Sequence, residues 1–355
     1  MALMLDPTTT PRPDLSEALA LVAGYPRLRF MGSKYRIMPY LMAVFADLEF
    51  RTALDAFSGS GVVAYGLKAM GKQVAANDFL AFASTVARAT VENSAVRLDA
   101  EEVASIIGPA ADDRDFIQRT FEGLYFPPED LAFLDSAWSH VEQLPAYKRD
   151  IAIAALCLAA ARKQPRGVFT VTDGRYNDGR RSMRMPLRDL FPEAVAAYNA
   201  VVFDNGSQNV VTSGDVFHLD PVSYDLVYLD PPYAPPKDDN DYIKRYHFLE
   251  GLAVYWRGLE IMTHTKTKKI PKRFTPFAYG HTITKALEDV FELARESIIV
   301  LSYSSNSVPG EDEIYKLLRQ VKADVRTFAV PHRYSFGTHS TAVRREAHEY
   351  IFVGV

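Results

Sequence analysis

The chain has 355 residues, of which 48% are hydrophobic and 24% charged, which is the composition of a folded protein with one large domain or two smaller ones. Its single cysteine, Cys157, excludes an intramolecular disulfide and any multi-cysteine metal site, and this fits a reducing compartment. The formal net charge of −4 excludes a uniformly basic nucleic-acid-binding surface but leaves local basic patches open.

Residues 1–25 are predicted to form a flexible N-terminal arm, because residues 1–15 are rich in proline and threonine. They contain neither a positively charged leader nor a long apolar run, so we expect no signal peptide. The longest apolar run of the chain, Ile151 to Ala161, is too short to span a bilayer and predicts a buried helix.

A regular alternation of strands and helices begins after residue 50. Residues 51–57 predict a buried strand, a glycine turn leads into a helix over 62–70, and a strand at 73–77 precedes a helix over 79–93. Such alternation is typical of a parallel sheet that is covered by helices.

The alternation is interrupted over residues 96–204, where the pattern is mainly helical, and by a second, irregular insertion at about 234–277. Further strands are predicted at 209–213, 225–229, 297–303, 324–330 and 350–355. The sequence therefore predicts an α/β fold with one mostly parallel sheet of seven strands. Residues 26–95 and 205–355 form this domain, and residues 96–204 form a helical and basic inserted domain.

The strongest local motif is Asp230-Pro231-Pro232-Tyr233, which follows a predicted strand. Ligands of open α/β sheets bind at the carboxyl ends of the strands. Both prolines fix φ and lack an N–H, so this corner offers only acceptors, the Asp230 carboxylate and the Pro231 carbonyl. Acceptors suit an exocyclic amino group, and Tyr233 offers a ring on which a planar base can stack. An ordinary proline turn is the alternative.

A glycine loop, Asp55 to Gly61, lies between the first predicted strand and its helix. Its two glycines, Gly59 and Gly61, let the backbone approach a ligand closely. Asp78 ends the next strand, where a carboxylate can accept hydrogen bonds from two ribose hydroxyls. Nicotinamide nucleotides and S-adenosylmethionine both contain such a ribose, so the loop favours a nucleoside cofactor of either kind over a turn that serves packing alone.

A third motif, Arg29 to Lys34, precedes a helix that is predicted from about residue 35 to 46. A lysine near a helix N-terminus can bind a carboxylate through its charge and the helix dipole together. Taken alone, the motif is better explained by a surface lysine that opens a helix.

Two stretches are locally basic. Between residues 162 and 188, eight arginines and lysines stand against two aspartates, a local sum of +6, with glycines and aromatic residues between them. Such a loop can bind phosphates or enter a groove of nucleic acid. A second stretch at 266–273 fits a solvated face equally well. The candidate DNA-binding residues are Arg166, Arg175, Arg180, Arg181, Arg184, Lys268 and Lys269. The histidines have no close metal-ligand spacing, so no metal site is predicted.

In combination, the motifs at residues 30–34, 55–61, 78 and 230–233 resemble the DNA adenine methyltransferases that modify the exocyclic amine at position 6, in the α-type motif order. The resemblance covers residues 26–93 and 209–355. It implies a Rossmann-like methyltransferase sheet of seven strands, with the helical insertion as the target-recognition domain. The family frequently has tryptophan at the position of Phe30, so that contact departs from its pattern.

The resemblance also implies roles for individual residues. The cofactor S-adenosylmethionine is expected to contact Phe30, Lys34, Asp55, Phe57, Gly59, Gly61, Asp78, Asp215 and Val216. Within this set, Lys34 matches the position that holds the methionyl carboxylate, Asp78 the ribose, and Asp215 with Val216 the cofactor adenine. The catalytic set is Asp230, Pro231, Pro232 and Tyr233. Here Asp230 and Pro231 accept hydrogen bonds from the target amine and Tyr233 stacks on the base.

The reaction implied is site-specific methyl transfer from S-adenosylmethionine to N6 of an adenine that is flipped out of duplex DNA, in a restriction-modification system or as an orphan enzyme. Double-stranded DNA is the expected partner, and a cognate restriction endonuclease is a potential one. We expect a cytoplasmic protein of a prokaryote or phage, without membrane contact.

Two alternatives stay open. The first is an RNA guanine-N2 methyltransferase with the same acceptor corner, against which the Lys34 motif and the large insertion speak. The second is a non-catalytic DNA-binding subunit that retains the cofactor pocket. The intact tetrapeptide, glycine loop and Asp78 favour an enzyme over such a subunit.

Overall fold

A computed structural model describes residues 3–4, 15–170, 179–234, 241–333 and 346–355. The strands are β1 (Leu3–Met4), β2 (Thr52–Asp55), β3 (Gln73–Asp78), β4 (Val210–Ser213), β5 (Leu226–Leu229), β6 (Ile298–Ser304), β7 (Val325–Arg333) and β8 (Glu346–Gly354). The helices are α1 (Ser16–Gly24), α2 (Met38–Ala46), α3 (Val62–Ala69), α4 (Ala81–Ala87), α5 (Ala100–Ile107), α6 (Phe116–Thr120), α7 (Pro128–Val141), α8 (Ala146–Arg162), α9 (Arg181–Arg184), α10 (Leu187–Ala200), α11 (Tyr242–Val254), α12 (Ile283–Leu293) and α13 (Glu311–Val321).

The strands form one sheet in the order β1-β7-β8-β6-β5-β2-β3-β4. Every neighbouring pair is parallel except those that involve β8, which runs antiparallel to β6 and to β7. The prediction of a mostly parallel sheet of seven strands is confirmed, and the two-residue β1 is an eighth strand at its edge. The chain leaves β2 toward β3 on one side and reaches β5 on the other, and such a reversal of strand order creates a ligand-binding crevice.

The carboxyl ends of four adjacent parallel strands each carry an aspartate. Asp55 and Asp78 are the last residues of β2 and β3, Asp230 directly follows β5, and Asp215 follows β4 after one glycine. The register pairs β2 with both β3 and β5, so these ends lie side by side. The sheet therefore collects acids that are far apart in the sequence along one edge.

The helical insertion shares one apolar core with the rest of the domain. Val86 of α4, Cys157 of α8 and Phe248 of α11 all belong to this core and are fully buried. The predicted buried helix at Ile151 to Ala161 is confirmed as part of α8. Within the described residues, no helix has the length and apolarity to cross a membrane.

The prediction of a flexible arm over residues 1–25 is wrong for its second half. Residues 16–24 form α1, whose Ala18 and Val22 are buried against the core that includes α3. Leu15, Ala18 and Val22 are spaced by three and four residues, which is the apolar stripe of a packed helix. Leu3 and Met4 also pair with β7, while residues 5–14 lie outside the described residues.

The second insertion, predicted as irregular over residues 234–277, contains the 13-residue helix α11. Asp241 caps this helix by accepting a hydrogen bond from the backbone N–H of Lys244. Phe248 and Leu252 are fully buried because α11 packs on α4 and α8. The predicted helix at 35–46 also begins later, as α2 at Met38, after a short 3-10 turn at Lys34–Arg36.

Candidate active site

A cavity of about 640 Å³ opens at the carboxyl ends of β2, β3 and β5. Its lining combines all three predicted motifs, including Phe30, Lys34, Asp55, Gly59, Asp78 and Asp230. The structure thus places Phe30 and Asp230, which are 200 positions apart, around one space.

The glycine loop can be formed only by glycine at two positions. Gly59 and Gly61 have φ of +49° and +78°, in the left-handed region. A Cβ at Gly59 would lie 2.9 Å from the Phe30 ring, and one at Gly61 would lie 2.6 Å from the Tyr25 hydroxyl. Tyr25 in turn donates a hydrogen bond to the carbonyl of Ser60. The loop therefore passes closely between two aromatic side chains before α3 begins.

Asp78 ties this loop to β3. Its carboxylate accepts hydrogen bonds from the backbone N–H of Gly59, at 2.8 Å, and of Leu80, at 2.9 Å. Burial raises the pKa of Asp78 to about 6, although the two N–H donors act in the opposite direction. The carboxylate also lines the cavity, so its charge is available both to the loop and to a ligand.

Asp55 presents a buried acceptor. Its Oδ2 atom accepts a hydrogen bond from the backbone N–H of Ala64, while Oδ1 has no hydrogen-bond partner among the described residues. Burial raises the pKa of Asp55, and the nearby Asp230 carboxylate raises it further. A buried acceptor without a partner costs free energy, which a ligand with N–H donors would recover.

A second cavity of about 420 Å³ continues the first one toward β4. Asp215 and Val216 line it together with Phe57 and Phe277. Phe277 packs edge-on against Phe57, with ring centroids 5.1 Å apart, and stacks on Phe217 at 5.6 Å. The predicted pair at 215–216 therefore borders an aromatic wall, of which Phe277 was not predicted.

Asp230 is held by a lysine and a tyrosine. Lys34 Nζ lies 2.7 Å from Asp230 Oδ1, and the Tyr233 hydroxyl donates a hydrogen bond to the same oxygen at 2.9 Å. Burial raises the pKa of Asp230 to about 6, Lys34 lowers it, and the buried carboxylate of Glu349 raises it. Glu349 was not among the predicted site residues.

Lys34 and Tyr233 are placed differently from the sequence-based expectation. Lys34 is 4% exposed and donates to the Gly32 carbonyl and the Tyr233 hydroxyl as well as contacting two carboxylates. The Tyr233 ring packs edge-on against Tyr303, with centroids 5.0 Å apart. The cofactor-carboxylate role of Lys34 and the base-stacking role of Tyr233 stay predictions. Of the two prolines, Pro231 is buried and Pro232 lines the cavity.

Helix α11 supports the site from behind. Tyr246 stacks on Phe30, with centroids 4.9 Å apart, and its hydroxyl accepts a hydrogen bond from the backbone N–H of Met31. Glu250 accepts hydrogen bonds from the backbone N–H groups of Ala81 and Phe82 at the start of α4. One helix thus fixes both the Phe30 motif and the helix that follows Asp78.

The basic candidates are only partly described. Arg175 and the side chain of Arg166 lie outside the described residues, whereas Arg181 and Arg184 are exposed on α9. Arg180 donates to the carbonyls of Arg162 and Gln164, and Arg181 pairs with Glu193. In the second stretch, Lys268 and Lys269 are half-buried, and Lys268 donates to the Thr120 carbonyl.

Known proteins resemble this chain over most of its length. Residues 30–275 match the sequence profile of the D12 class N6 adenine-specific DNA methyltransferases. The chain is 27% identical to the Type II methyltransferase M2.HphI of Haemophilus parahaemolyticus, over 87% of this chain and 92% of that protein. It is 26% identical to the Type II methyltransferase M.FokI of Planomicrobium okeanokoites and 23% identical to the modification methylase StsI of Streptococcus sanguinis. Both alignments cover 92% of this chain but about half of the relative, 52% and 51% respectively.

Proposed function

The chain belongs to the D12 class N6 adenine-specific DNA methyltransferases, and on this premise we propose that its cavity binds S-adenosylmethionine and serves methyl transfer to N6 of an adenine flipped out of duplex DNA. The family membership agrees with the motif order of the sequence. The observation that carries the proposal is the shared cavity of the glycine loop, Asp78 and Asp230. In it, a cofactor on the loop would face the acceptor corner directly.

The donor groups of S-adenosylmethionine fit the residues present. Its ribose hydroxyls can donate to Asp78, and its methionyl ammonium can donate to Asp55 Oδ1, the buried acceptor without a partner among the described residues. Its adenine would lie in the second cavity against Phe57 and Phe277, next to Asp215. When bound, the cofactor supplies an activated methyl group.

The contribution of the acceptor corner is electrostatic. The adenine amine is a poor nucleophile because its lone pair is delocalised into the ring. Hydrogen bonds from its two N–H groups to the Asp230 carboxylate and the Pro231 carbonyl favour a pyramidal nitrogen and stabilise the positive charge that develops on it. A base inside a duplex cannot reach this corner, so the target has to leave the stack.

Methyl transfer from labelled S-adenosylmethionine to duplex DNA tests the proposal. After digestion to nucleosides, we expect the label in N6-methyladenine and none in DNA that lacks adenine. Label in N2-methylguanine of RNA instead would establish the RNA alternative. Cofactor binding with no transfer to either nucleic acid would establish a non-catalytic subunit.

We further propose that residues 96–204 recognise the target and that exposed arginines of α9 contact DNA phosphates. The basic stretch adjoins the site, since a Cβ at Gly167 would contact Arg29, and Phe169 donates its backbone N–H to the Arg245 carbonyl on α11. Phosphate contacts by these arginines would make DNA binding strongly salt-dependent.

Neutralising Arg181 and Arg184 together should lower the salt dependence of DNA affinity. Each phosphate contact contributes about 0.9 to the slope of log affinity against log salt, so Arg181→Gln with Arg184→Gln should reduce the slope by roughly 2. Fluorescence anisotropy at several salt concentrations measures it. Arg119→Gln is the matched control, because Arg119 is an exposed arginine paired with an acid, Asp115, outside the basic stretch. An unchanged slope in the double variant would place the DNA elsewhere.

A role in restriction-modification is also proposed. Two of the relatives are named Type II methyltransferases and one a modification methylase. A cognate endonuclease that cleaves the unmethylated sequence, and a cytoplasmic location with the DNA, belong to this proposal. Sequencing of methylated adenines in cells that express the chain would give the recognition sequence that such a nuclease must share.

A further inference from the structure

Four polar side chains from three separate parts of the chain form one cluster beside the cavity. We call Lys34, Asp230, Tyr233 and Glu349 the Lys34 cluster. Lys34 Nζ lies 2.7 Å from Asp230 Oδ1 and 3.1 Å from Glu349 Oε1. The Tyr233 hydroxyl lies within hydrogen-bonding distance of both carboxylates, 2.9 Å from Asp230 Oδ1 and in a short contact with Glu349 Oε1, and its one proton can be donated to either acid. Tyr233 is therefore a bridge between the two acids.

Glu349 lies in this cluster because β8 runs antiparallel to its neighbours β6 and β7. The parallel strands end at the edge that carries the cavity, whereas β8 begins there, and Glu349 lies opposite Ser304 at the end of β6. Glu349 is only 3% exposed, and a glutamate is rarely this deeply buried unless its carboxylate is paired. No sequence motif marks it.

The cluster has an excess of negative charge. Lys34 supplies one positive charge, and Asp230 and Glu349 supply two negative charges when both are ionised. Burial weakens screening by solvent, so the excess acts strongly on nearby groups. A cationic sulfonium or a methylated amine that becomes positive during transfer would compensate it, whereas an anionic ligand group would be repelled.

We propose that Glu349 is a positioning residue for methyl transfer. It acts through the Tyr233 hydroxyl, which connects it to Asp230, and it is the second acceptor of the proton that leaves the target amine. The inference rests on the proposed function, because it assigns the fate of a proton that N6 methylation must release. It deepens that function by giving Tyr233 a role that its ring alone cannot perform.

The proton balance is simple. After the methyl group has joined N6, one N6–H bond breaks and its proton bonds to Asp230. Tyr233 then gives its hydroxyl proton to Glu349 while its oxygen takes the proton from Asp230. Asp230 is again a carboxylate, Tyr233 is again a phenol, and Glu349 carries the proton until it is lost to water on product release. No oxidant, metal or further reactant takes part.

The pH dependence of this step reflects the ionisable groups around Asp230, so rates are compared at saturating cofactor, where ionisation of Asp78 does not limit binding. Among the described residues outside the cluster, Asp55 on β2, Tyr228 on β5 and Tyr242 on α11 have raised pKa values, first because of burial and also because of the charge of Asp230. These three groups are unchanged in variants of Glu349 and Tyr233. Shifts of the pH–rate profile in opposite directions for the Glu349 and Tyr233 variants would therefore arise from the cluster itself.

Single-turnover methylation of duplex DNA across pH 5–9 tests the inference with two variants. Transfer requires ionised Asp230, so the rate falls at low pH along an acid limb. Glu349→Gln removes a negative charge beside Asp230 and should move this limb to lower pH. Tyr233→Phe keeps the ring but removes a hydrogen bond donated to Asp230, and should move the limb to higher pH. Because the proton leaves after the methyl group has joined N6, both variants should also lower the multiple-turnover rate above the limb by about tenfold or more.

Controls separate this role from simple support of the fold. Tyr303→Phe removes another buried tyrosine hydroxyl, one that donates to the Val308 carbonyl, and should leave the limb in place. Glu349→Asp keeps the charge and should restore the wild-type limb with part of the rate. If Glu349→Gln does not fold, as judged by its thermal unfolding, Tyr233→Phe decides alone.

Two results would overturn the relay while leaving the proposed function intact. One is wild-type transfer rates in both variants, which would mean that only the Tyr233 ring matters. The other is a lowered rate with an unmoved acid limb in the variants that fold, which would make the cluster merely structural. A wild-type protein that methylates no adenine removes the proposed function and the relay together.

Discussion

Replacing Asp230 by alanine should abolish methyl transfer while cofactor binding persists. The carboxylate provides one of two acceptors for the target amine and the negative charge next to the developing cation, so we expect a loss of about 10³-fold in the single-turnover rate. Cofactor affinity should fall far less than the transfer rate, because the glycine loop, Asp55 and Asp78 are unchanged and only one negative charge near the sulfonium is lost. Rapid-quench assays with labelled cofactor and calorimetric titration measure the two quantities.

The structure also predicts that Asp230→Ala folds. Lys34 would keep Glu349, the Tyr233 hydroxyl and the Gly32 carbonyl as partners, so no unpaired buried charge is created. Asp220→Ala is the matched control, since Asp220 is an exposed aspartate on the loop that leads into β5, and it should transfer at the wild-type rate. Near-normal transfer by Asp230→Ala would remove Asp230 from the reaction.

Local sequence patterns were sufficient to predict the edge of the sheet. Asp55, Asp78 and Asp230 each end a short apolar run, so strand prediction alone placed them at carboxyl ends. Parallel strands expose these ends on the same side, and a common site followed. Gly59 and Gly61 could also be predicted, because glycines between a strand and a helix indicate a close backbone approach. In the structure both have left-handed backbone and a close aromatic contact, a combination that permits few residues other than glycine.

The residues that were missed act through tertiary pairing. The sequence of the strand that contains Glu349 has no feature that marks a functional residue. Glu349 comes close to Lys34 only because antiparallel β8 lies between β6 and β7. Tyr246 and Glu250 have the spacing of a helix, but nothing in that spacing shows that α11 packs behind Phe30 and α4. Lys34 lines the cavity, where its carboxylate partners are Asp230 and Glu349, and its role toward the cofactor carboxylate stays a prediction.

Replacing Asp78 should have the opposite effect to Asp230→Ala, with a larger loss in cofactor affinity than in the methyl-transfer rate at saturating cofactor. Two hydrogen bonds from ribose hydroxyls to a carboxylate contribute about 1.5–3 kcal/mol each, so Asp78→Ala should weaken cofactor binding by at least ~100-fold. The loss of the acceptor for the Gly59 N–H would also loosen the loop. Asp204→Ala, on an exposed loop, is the control and should bind normally.

The raised pKa of Asp78, about 6, adds a pH dependence with a definite sign. If the ionised form binds the ribose, wild-type affinity should fall by about tenfold between pH 7 and pH 5. Because the folded protein holds this proton more tightly than the unfolded chain, ionisation of Asp78 costs stability as the pH rises through 6. Asp78→Asn does not carry that cost. At pH 8 its thermal stability should therefore stay close to that of the wild type, while its cofactor affinity is clearly lower than that of the wild type. If Asp78→Asn instead loses thermal stability together with cofactor affinity, Asp78 only supports the loop and does not bind the ribose.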